Sequence, residues 1–107
     1  MKSEIEFLQI ETRIVAALKT VFDPEIPVNV YDLGLIYDID VDSDNLVKIT
    51  MTLTAPNCPL ADDIVNDVKK RVEDVDDVKK VIINLVFDPP WSKDMMSEEA
   101  MLELGLL

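Results

Sequence analysis

The sequence predicts one small α+β domain with the element order α-β-β-α-β, a three-stranded mixed sheet with helices packed on it, and a short C-terminal helix. Three patterns carry this prediction: apolar residues at helical spacing in two segments, two-residue alternation in an adjacent pair of segments, and a strand-helix-strand order. At 107 residues the chain has the length of one domain, so residues 1–107 are treated as a single unit.

The first helix is predicted over about residues 4–21. Its apolar residues recur every three or four positions, at Phe7, Ile10, Ile14, Leu18 and Val21. The segment Asp23-Pro24-Glu25-Ile26-Pro27 must end it, because proline disfavours helical geometry in the preceding residue and lacks an amide donor. We expect an extended, rigid loop there.

Two strands then form an antiparallel hairpin. The apolar positions are Leu35, Tyr37, Ile39 and Val41 in the first strand and Val47, Ile49, Met51 and Leu53 in the second. The positions on the expected wetter face of the second strand are Lys48, Thr50, Thr52 and Thr54. Residues 42–45, with the sequence DSDN, have turn chemistry, so the hairpin is predicted to reverse there.

A second helix and a third strand complete the sheet. The helix is predicted over about residues 59–74 and the strand over Val78 to Phe87. The side chains of the strand that we expect to be buried are Val81, Ile83, Leu85 and Phe87. The order of strand, helix and strand favours a right-handed crossover and a parallel pairing.

The C-terminal part begins with Pro89 and Pro90, which cannot donate to a strand ladder. Trp91 is predicted to close the core, because a small domain gains by burying its large apolar area. Ser97 is predicted to cap a short helix that Gly105 ends.

Composition excludes several function classes. The net charge of −12 opposes nucleic acids and anionic membranes as partners. The chain has no histidine, which excludes serine-histidine and cysteine-histidine catalysis and histidine-ligated metals within this chain. No apolar run is long enough to cross a bilayer, and the N-terminus has no signal-peptide pattern, so a cytoplasmic protein is expected. A basic cluster is interpreted as a solvated face and consists of Lys69, Lys70, Arg71, Lys79 and Lys80.

Cys58 is the only cysteine and lies between the second strand and the second helix. Backbone amides and the helix dipole favour its thiolate form, although Asp62 and Asp63 oppose it. The alternative is a small, half-buried hydrophobe. One thiolate cannot complete the four ligands of zinc or of an iron-sulfur cluster, so any metal bound by Cys58 must be shared with another chain or a small thiol.

Asp23, Glu25 and Asp32 surround the proline loop. Carboxylates in such a group can serve as acid and base or as ligands of hard metals, whereas the alternative is that they cap and form turns. Gly34 can adopt the positive φ that a turn after Asp32 needs. Thr54 points toward the same end of its strand as Cys58.

Four segments together resemble the SufT/PaaD-like family: DPEIPV at 23–28, YDLGLIYDI at 31–39, MTLTAPNCPL at 51–60, and DPPWSKDMMSEEAMLELGL at 88–106. The resemblance implies an α-β-β-α-β fold related to iron-sulfur assembly domains. It also implies that Cys58 is the functional thiol, with Asp23, Glu25, Asp32 and Thr54 as its neighbours. The chain lacks the cysteine-rich tail of PaaD proper and the longer N-terminal extension of some SufT proteins.

Three functions follow from these observations. The leading hypothesis is a non-enzymatic factor that docks on an iron-sulfur scaffold or a client apo-protein, with no cluster held stably in isolation and Cys58 transiently ligating iron or a cluster. The second is an accessory component of a PaaD-like multicomponent aromatic-ring oxygenase. The third, an enzyme with Cys58 as nucleophile, leaves only a carboxylate, a lysine or the helix dipole to activate the thiol. A homodimer remains open.

Overall fold

A computed structural model describes residues 4–23, 26–54 and 61–105. The elements in chain order are α1 (Glu4–Leu18), β1 (Ile36–Val41), β2 (Leu46–Met51), α2 (Ala61–Glu73), β3 (Lys80–Leu85) and, after a short 3₁₀ turn, α3 (Glu98–Glu103). The sheet order is β1-β2-β3, with β1 antiparallel and β3 parallel to the central strand. The predicted α+β class, mixed sheet and short C-terminal helix are therefore confirmed.

The core lies between the sheet and the first two helices. Each helix buries one stripe: Ile10, Ile14 and Leu18 in α1, and Ile64, Val68 and Val72 in α2. These stripes meet the buried face of β2, formed by Val47, Ile49 and Met51. The helical spacing of apolar residues thus identified the buried side of both helices.

Helix α1 ends at Leu18, three residues before the predicted end at 21. The amides of Thr20 and Val21 bond to carbonyls three residues back, which tightens the chain into a turn. Val21 is still buried, but its carbonyl accepts a hydrogen bond from the Val30 N–H instead of continuing the helix. Apolar spacing extended the prediction past this end because Val21 belongs to the core without belonging to the helix.

The predicted alternation of β1 is wrong at Tyr37. Ile36 pairs with Met51 while Asp38 pairs with Thr50, so Tyr37 is an extra residue in a β-bulge. The bulge reverses the faces at this point, and Ile36 packs against the core together with Ile39 and Val41. The Tyr37 hydroxyl donates to the Pro89 carbonyl at 2.7 Å.

The hairpin turn at 42–45 is confirmed. The Asp42 carboxylate accepts hydrogen bonds from the N–H groups of Asp44 and Leu46 at 2.8 and 3.0 Å. Asn45 takes a positive φ of 63°, a conformation that asparagine tolerates better than most residues. Its amide nitrogen donates to the Asp77 carbonyl, which joins the hairpin to the connection between α2 and β3.

Strand β3 is parallel to β2 as predicted, but only half of its expected buried face is covered. Val81 is buried and Ile83 packs against the core, whereas Leu85 and Phe87 are 36% and 43% exposed. Alternation predicts which face a side chain lies on and not whether a neighbour covers it. Among the described residues, β3 has a lateral neighbour on one side only, and Phe87 lies beyond its last residue.

The C-terminal segment closes the core. Met96 and Ala100 are buried, and Trp91 packs half-buried against the core, with its indole N–H donating to the Leu33 carbonyl at 2.6 Å. Ser97 caps α3 by accepting a hydrogen bond from the Ala100 N–H, and Gly105 follows the helix with a φ of +73°. The predictions for Trp91, Ser97 and Gly105 are confirmed.

Substitution of Gly34 tests the packing of the C-terminal segment against the turn before β1. Gly34 has a φ of +83°, and a Cβ at this position would collide with the backbone carbonyl of Met95. We expect Gly34→Ala to lower the free energy of unfolding by about 3 kcal/mol, since a left-handed backbone costs an L-residue about 1–2 kcal/mol and overpacking adds about 1–3 kcal/mol. Urea denaturation measures the loss.

Gly105→Ala is the matched control. Gly105 also has a positive φ, but a Cβ there would meet no atom within 4 Å. The control should therefore cost only about 1 kcal/mol. Equal losses for the two variants would show that the Met95 backbone yields without penalty.

Candidate functional site

Three of the five predicted site residues, Asp23, Asp32 and Thr54, lie in the described part of the chain. Glu25 and Cys58 lie outside the described residues, and their predicted roles stay predictions. Asp23 and Asp32 belong to the segment between α1 and β1, and Thr54 follows β2.

Asp23 is buried, with only 4% of its surface exposed. Its carboxylate accepts a hydrogen bond from the Ile26 N–H at 3.1 Å, and its own N–H donates to the Val28 carbonyl at 3.2 Å. Phe22 and Asn29 form a β-bridge on either side of this loop. The carboxylate therefore shapes the proline loop, as the turn-forming alternative predicted.

Asp32 stabilises a helical turn. The Asn29 side chain accepts from the Asp32 N–H at 2.8 Å and donates to the Asp32 carboxylate at 2.7 Å. The Asn29 side chain thus caps the turn through the Asp32 N–H, and its amide is held in place by the Asp32 carboxylate. The Asp32 carbonyl also accepts from the Ser97 N–H at 2.8 Å, so the turn is attached to the N-terminus of α3. These contacts give Asp32 a structural role.

Backbone hydrogen bonds connect this turn to the end of β2. The Leu35 N–H donates to the Val30 carbonyl, and the Thr52 N–H donates to the Leu35 carbonyl at 2.8 Å. On the other side, the Val86 N–H donates to the Met51 carbonyl at 2.8 Å. The chain that leaves β2 toward Thr54 therefore starts from a position fixed on both sides.

Thr52 is the polar residue that sequence reasoning missed. Alternation placed it on the wetter face, but it is fully buried and followed by Leu53, which is also buried. Two consecutive buried residues show that both sides of the chain are covered beyond β2. Among the described residues, Thr52 Oγ1 is one of two buried side-chain polar atoms without a hydrogen-bond partner. Thr52 belongs to the alternating MTLT segment, and the alternation predicted that its side chain lies on the exposed face.

An open hollow of about 510 Å³ lies beside the turn, between Gly34, Ile36, Tyr37, Pro89 and Met95. Its lining has no carboxylate or cationic group. The Tyr37 hydroxyl is already bonded to the Pro89 carbonyl and lies 3.6 Å from the Met95 sulfur. The hollow adds no carboxylate or thiolate to the candidate site.

The described residues contain no group of three or more cysteine, aspartate or glutamate side chains that could hold a metal ion. Within the described residues, Asp23 and Asp32 belong to no such group. Within the same residues, no helix is long and apolar enough to cross a membrane.

Comparison with known proteins identifies the family. A family described as iron-sulfur cluster assembly protein matches residues 11–84. The chain belongs to this family. The match includes β1, β2 and α2, the second half of α1, and β3 except its last residue, and the resemblance seen in the four sequence segments is confirmed at this level.

Relatives within the iron-sulfur cluster assembly family match almost end to end. A Porphyromonas gingivalis protein named Fe-S protein maturation auxiliary factor is 68% identical over 95% of this chain and 97% of its own length. The Bacillus subtilis factor YitW is 46% identical over 91% and 95%, and the Staphylococcus aureus factor SufT is 37% identical over 80% and 98%.

A solved structure of this family supports the fold. The crystal structure of a domain of unknown function, DUF59, from Bacillus anthracis superposes with a TM-score of 0.87. It is 42% identical and covers 94% of this chain and 95% of that one. The α+β arrangement described above is therefore that of the DUF59 domain.

Asp32→Asn separates a structural role from a ligand role. Asparagine keeps an acceptor for the Asn29 amide, so we expect stability within about 0.5 kcal/mol of wild type, whereas Asp32→Ala should lose about 1 kcal/mol. Chemical denaturation measures both variants. A stable Asp32→Asn variant that fails to support iron-sulfur enzyme activity in cells would instead show that the charge is needed for function.

Thr52→Val tests the buried hydroxyl. Valine has nearly the same shape, and removing a buried polar atom without a partner should raise the free energy of unfolding by about 1 kcal/mol. Thr50→Val is the control, because it makes the same substitution at a half-buried position of β2. It should change the free energy of unfolding by less than about 0.5 kcal/mol. Loss of stability in Thr52→Val would mean that the hydroxyl has a partner.

Proposed function

We propose that this protein is a non-enzymatic accessory factor in iron-sulfur cluster assembly or delivery to client apo-proteins. The observation that carries the proposal is the 68% identity, over nearly the whole of both chains, with a protein named Fe-S protein maturation auxiliary factor. An accessory factor acts by docking on a scaffold or a client, and the cluster is its cargo. The aromatic-ring oxygenase alternative has no comparable support among the relatives reported above.

Cys58 is the residue that we propose to contact iron. It is the only thiol in the chain, and thiolate is the soft ligand that iron-sulfur clusters take. Because a cluster usually takes four ligands, one thiolate holds it only together with ligands from a scaffold, a client or a small thiol. Transfer then needs no stable cluster on the isolated chain.

The described residues on either side of Cys58 support this proposal. Before it, Thr52 is held by the Leu35 carbonyl; after it, Ile64 is buried in the first turns of α2. Both elements that flank residues 55–60 are therefore fixed to the core. Asp23, Glu25, Asp32 and Thr54 are proposed as the neighbours of Cys58.

The absence of histidine also favours binding over catalysis. A cysteine nucleophile is ordinarily activated by an adjacent base, most often histidine, and this chain has none. A ligand thiolate needs no such base, since metal binding itself favours the deprotonated form.

The test is Cys58→Ser in cells that lack the wild-type protein. Serine is nearly isosteric but cannot replace a soft thiolate. We expect the activity of iron-sulfur enzymes such as aconitase to fall toward that of the deletion strain when iron is scarce, while the amount of the variant stays normal. Enzyme activity and protein level are measured in the same cells.

Asn66→Ser is the matched control. It introduces the same residue at an exposed position of α2 and should support full activity. Full activity with Cys58→Ser as well would exclude Cys58 as a ligand and leave docking alone to carry the function. Full activity in the deletion strain under iron limitation would reject the accessory function itself.

A further inference from the structure

Strand β3 has an open edge. It pairs with β2 on one side, and the described part of the chain supplies no strand on the other. The Val86 N–H donates inward to the Met51 carbonyl. Because the backbone groups of successive strand residues point in alternate directions, Ile83 and Leu85 direct their N–H and C=O groups outward. These unpaired groups can accept another strand.

Three apolar side chains on β3 or just beyond it are exposed. Ile82 is 47% exposed, and Leu85 and Phe87 at the far end are exposed as well. Soluble proteins usually protect an edge with charges, proline or a bulge in the strand. Here the central residues from Val81 to Leu85 carry no charge at all. Such an edge loses apolar exposure when a partner strand covers it.

We propose that the partner is a second copy of this chain, whose β3 pairs antiparallel to the first about a two-fold axis at Asn84. The edge is self-complementary in this register. Ile83 lies opposite Leu85 of the other copy. If the extended backbone continues past Leu85, where β3 ends, Ile82 lies opposite Val86 and Lys80 opposite Asp88. The two sheets then join into one six-stranded sheet with an isologous interface.

The register follows from side chains as well as from backbone direction. With the axis at Asn84, the outward backbone groups of Ile83 and Leu85 exchange hydrogen bonds between copies. Moving the axis to Ile83 keeps the hydrogen bonds possible but places Lys80 opposite Val86. Opposite-charge and apolar cross-strand pairs stabilise a sheet, so the axis at Asn84 is favoured.

Charge also favours this edge for self-association. Two copies with a net charge of −12 each repel at long range. Strand β3 itself has one basic residue, Lys80, and no acidic residue, so the strand carries none of this excess negative charge. The antiparallel arrangement also separates the two Lys80 side chains by eight residues, roughly 26 Å along the strands, which exceeds the Debye length of about 8 Å.

Charge reversal tests the register in solution by sedimentation velocity. Lys80→Glu and Asp88→Lys should each raise the dimer dissociation constant about tenfold, because each converts two attractive pairs into repulsive ones. The double variant should return it to within about threefold of wild type. Lys48→Glu, on the exposed face of the central strand, makes the same charge change away from the edge and is the control.

An engineered disulfide at position 84 tests whether the two-fold axis passes through this residue. Asn84 directs its own backbone groups toward β2, so Asn84 and its symmetry mate form the close, non-hydrogen-bonded type of pair, whose Cα separation of about 4.5 Å suits a disulfide. Asn84→Cys in a Cys58→Ser background should cross-link to a dimer under mild oxidation. Lys48→Cys in the same background should remain monomeric on a non-reducing gel.

Two results would overturn the proposal. A wild-type chain that stays monomeric up to about 1 mM, a concentration at which weak complexes form, excludes a second copy and leaves the edge to a strand of another protein. A dimer that neither charge reversal weakens, and that Asn84→Cys does not trap, uses a different surface. Neither result bears on the role of Cys58, which the cellular assay tests separately.

Discussion

The attachment of the C-terminal segment to the turn before β1 is the contact on which much of the structure depends. The last carbonyls of this turn accept hydrogen bonds from outside it. Trp91 and Ser97 donate to two consecutive ones, those of Leu33 and Asp32. Gly34 is required at the same place because the Met95 backbone leaves no room for a Cβ. Residues about sixty positions apart thereby fix each other.

This attachment also extends the core beyond the part of the chain that matches the family. The match ends at residue 84, yet Met96 and Ala100 are buried in the core and Trp91 packs against it. The reciprocal bonds of Asn29 and Asp32 shape the turn that receives this segment. A substitution in the C-terminal segment is therefore expected to affect the loop that carries Asp23 and Asp32.

The sequence predicted those elements whose signal is local. Helical spacing identified the buried stripes of α1 and α2, and DSDN identified the hairpin turn, because both depend on residues a few positions apart. The bulge at Tyr37 was not predictable, since Ile36 and Tyr37 are both suited to a half-buried strand and alternation continues through either. Leu85 and Phe87 were predicted buried because a strand pattern does not reveal that its strand is at the edge of the sheet.

In the candidate site, too, the roles that could be predicted are those with a local signal in the sequence. The turn-forming alternative for Asp23 and Asp32 rested on local chemistry, and the hydrogen bonds of both residues agree with it. Thr52 was assigned to the wrong environment because its burial comes from segments distant in sequence. The role of Cys58 depends on a ligand set that one chain does not complete, so neither spacing nor packing within this chain could establish it.

The parallel pairing of β2 and β3 connects the proposed site to the proposed interface. Met51 and Leu85 are partners in the register, so the segment toward Cys58 and the exposed Phe87 both begin at the same end of the sheet. A strand paired with β3 in the Asn84 register would bring its own Lys80 to this end, opposite Asp88. Positive charge would then be added at the end of the sheet where the chain leaves β2, beside the Asp88 carboxylate of the first copy.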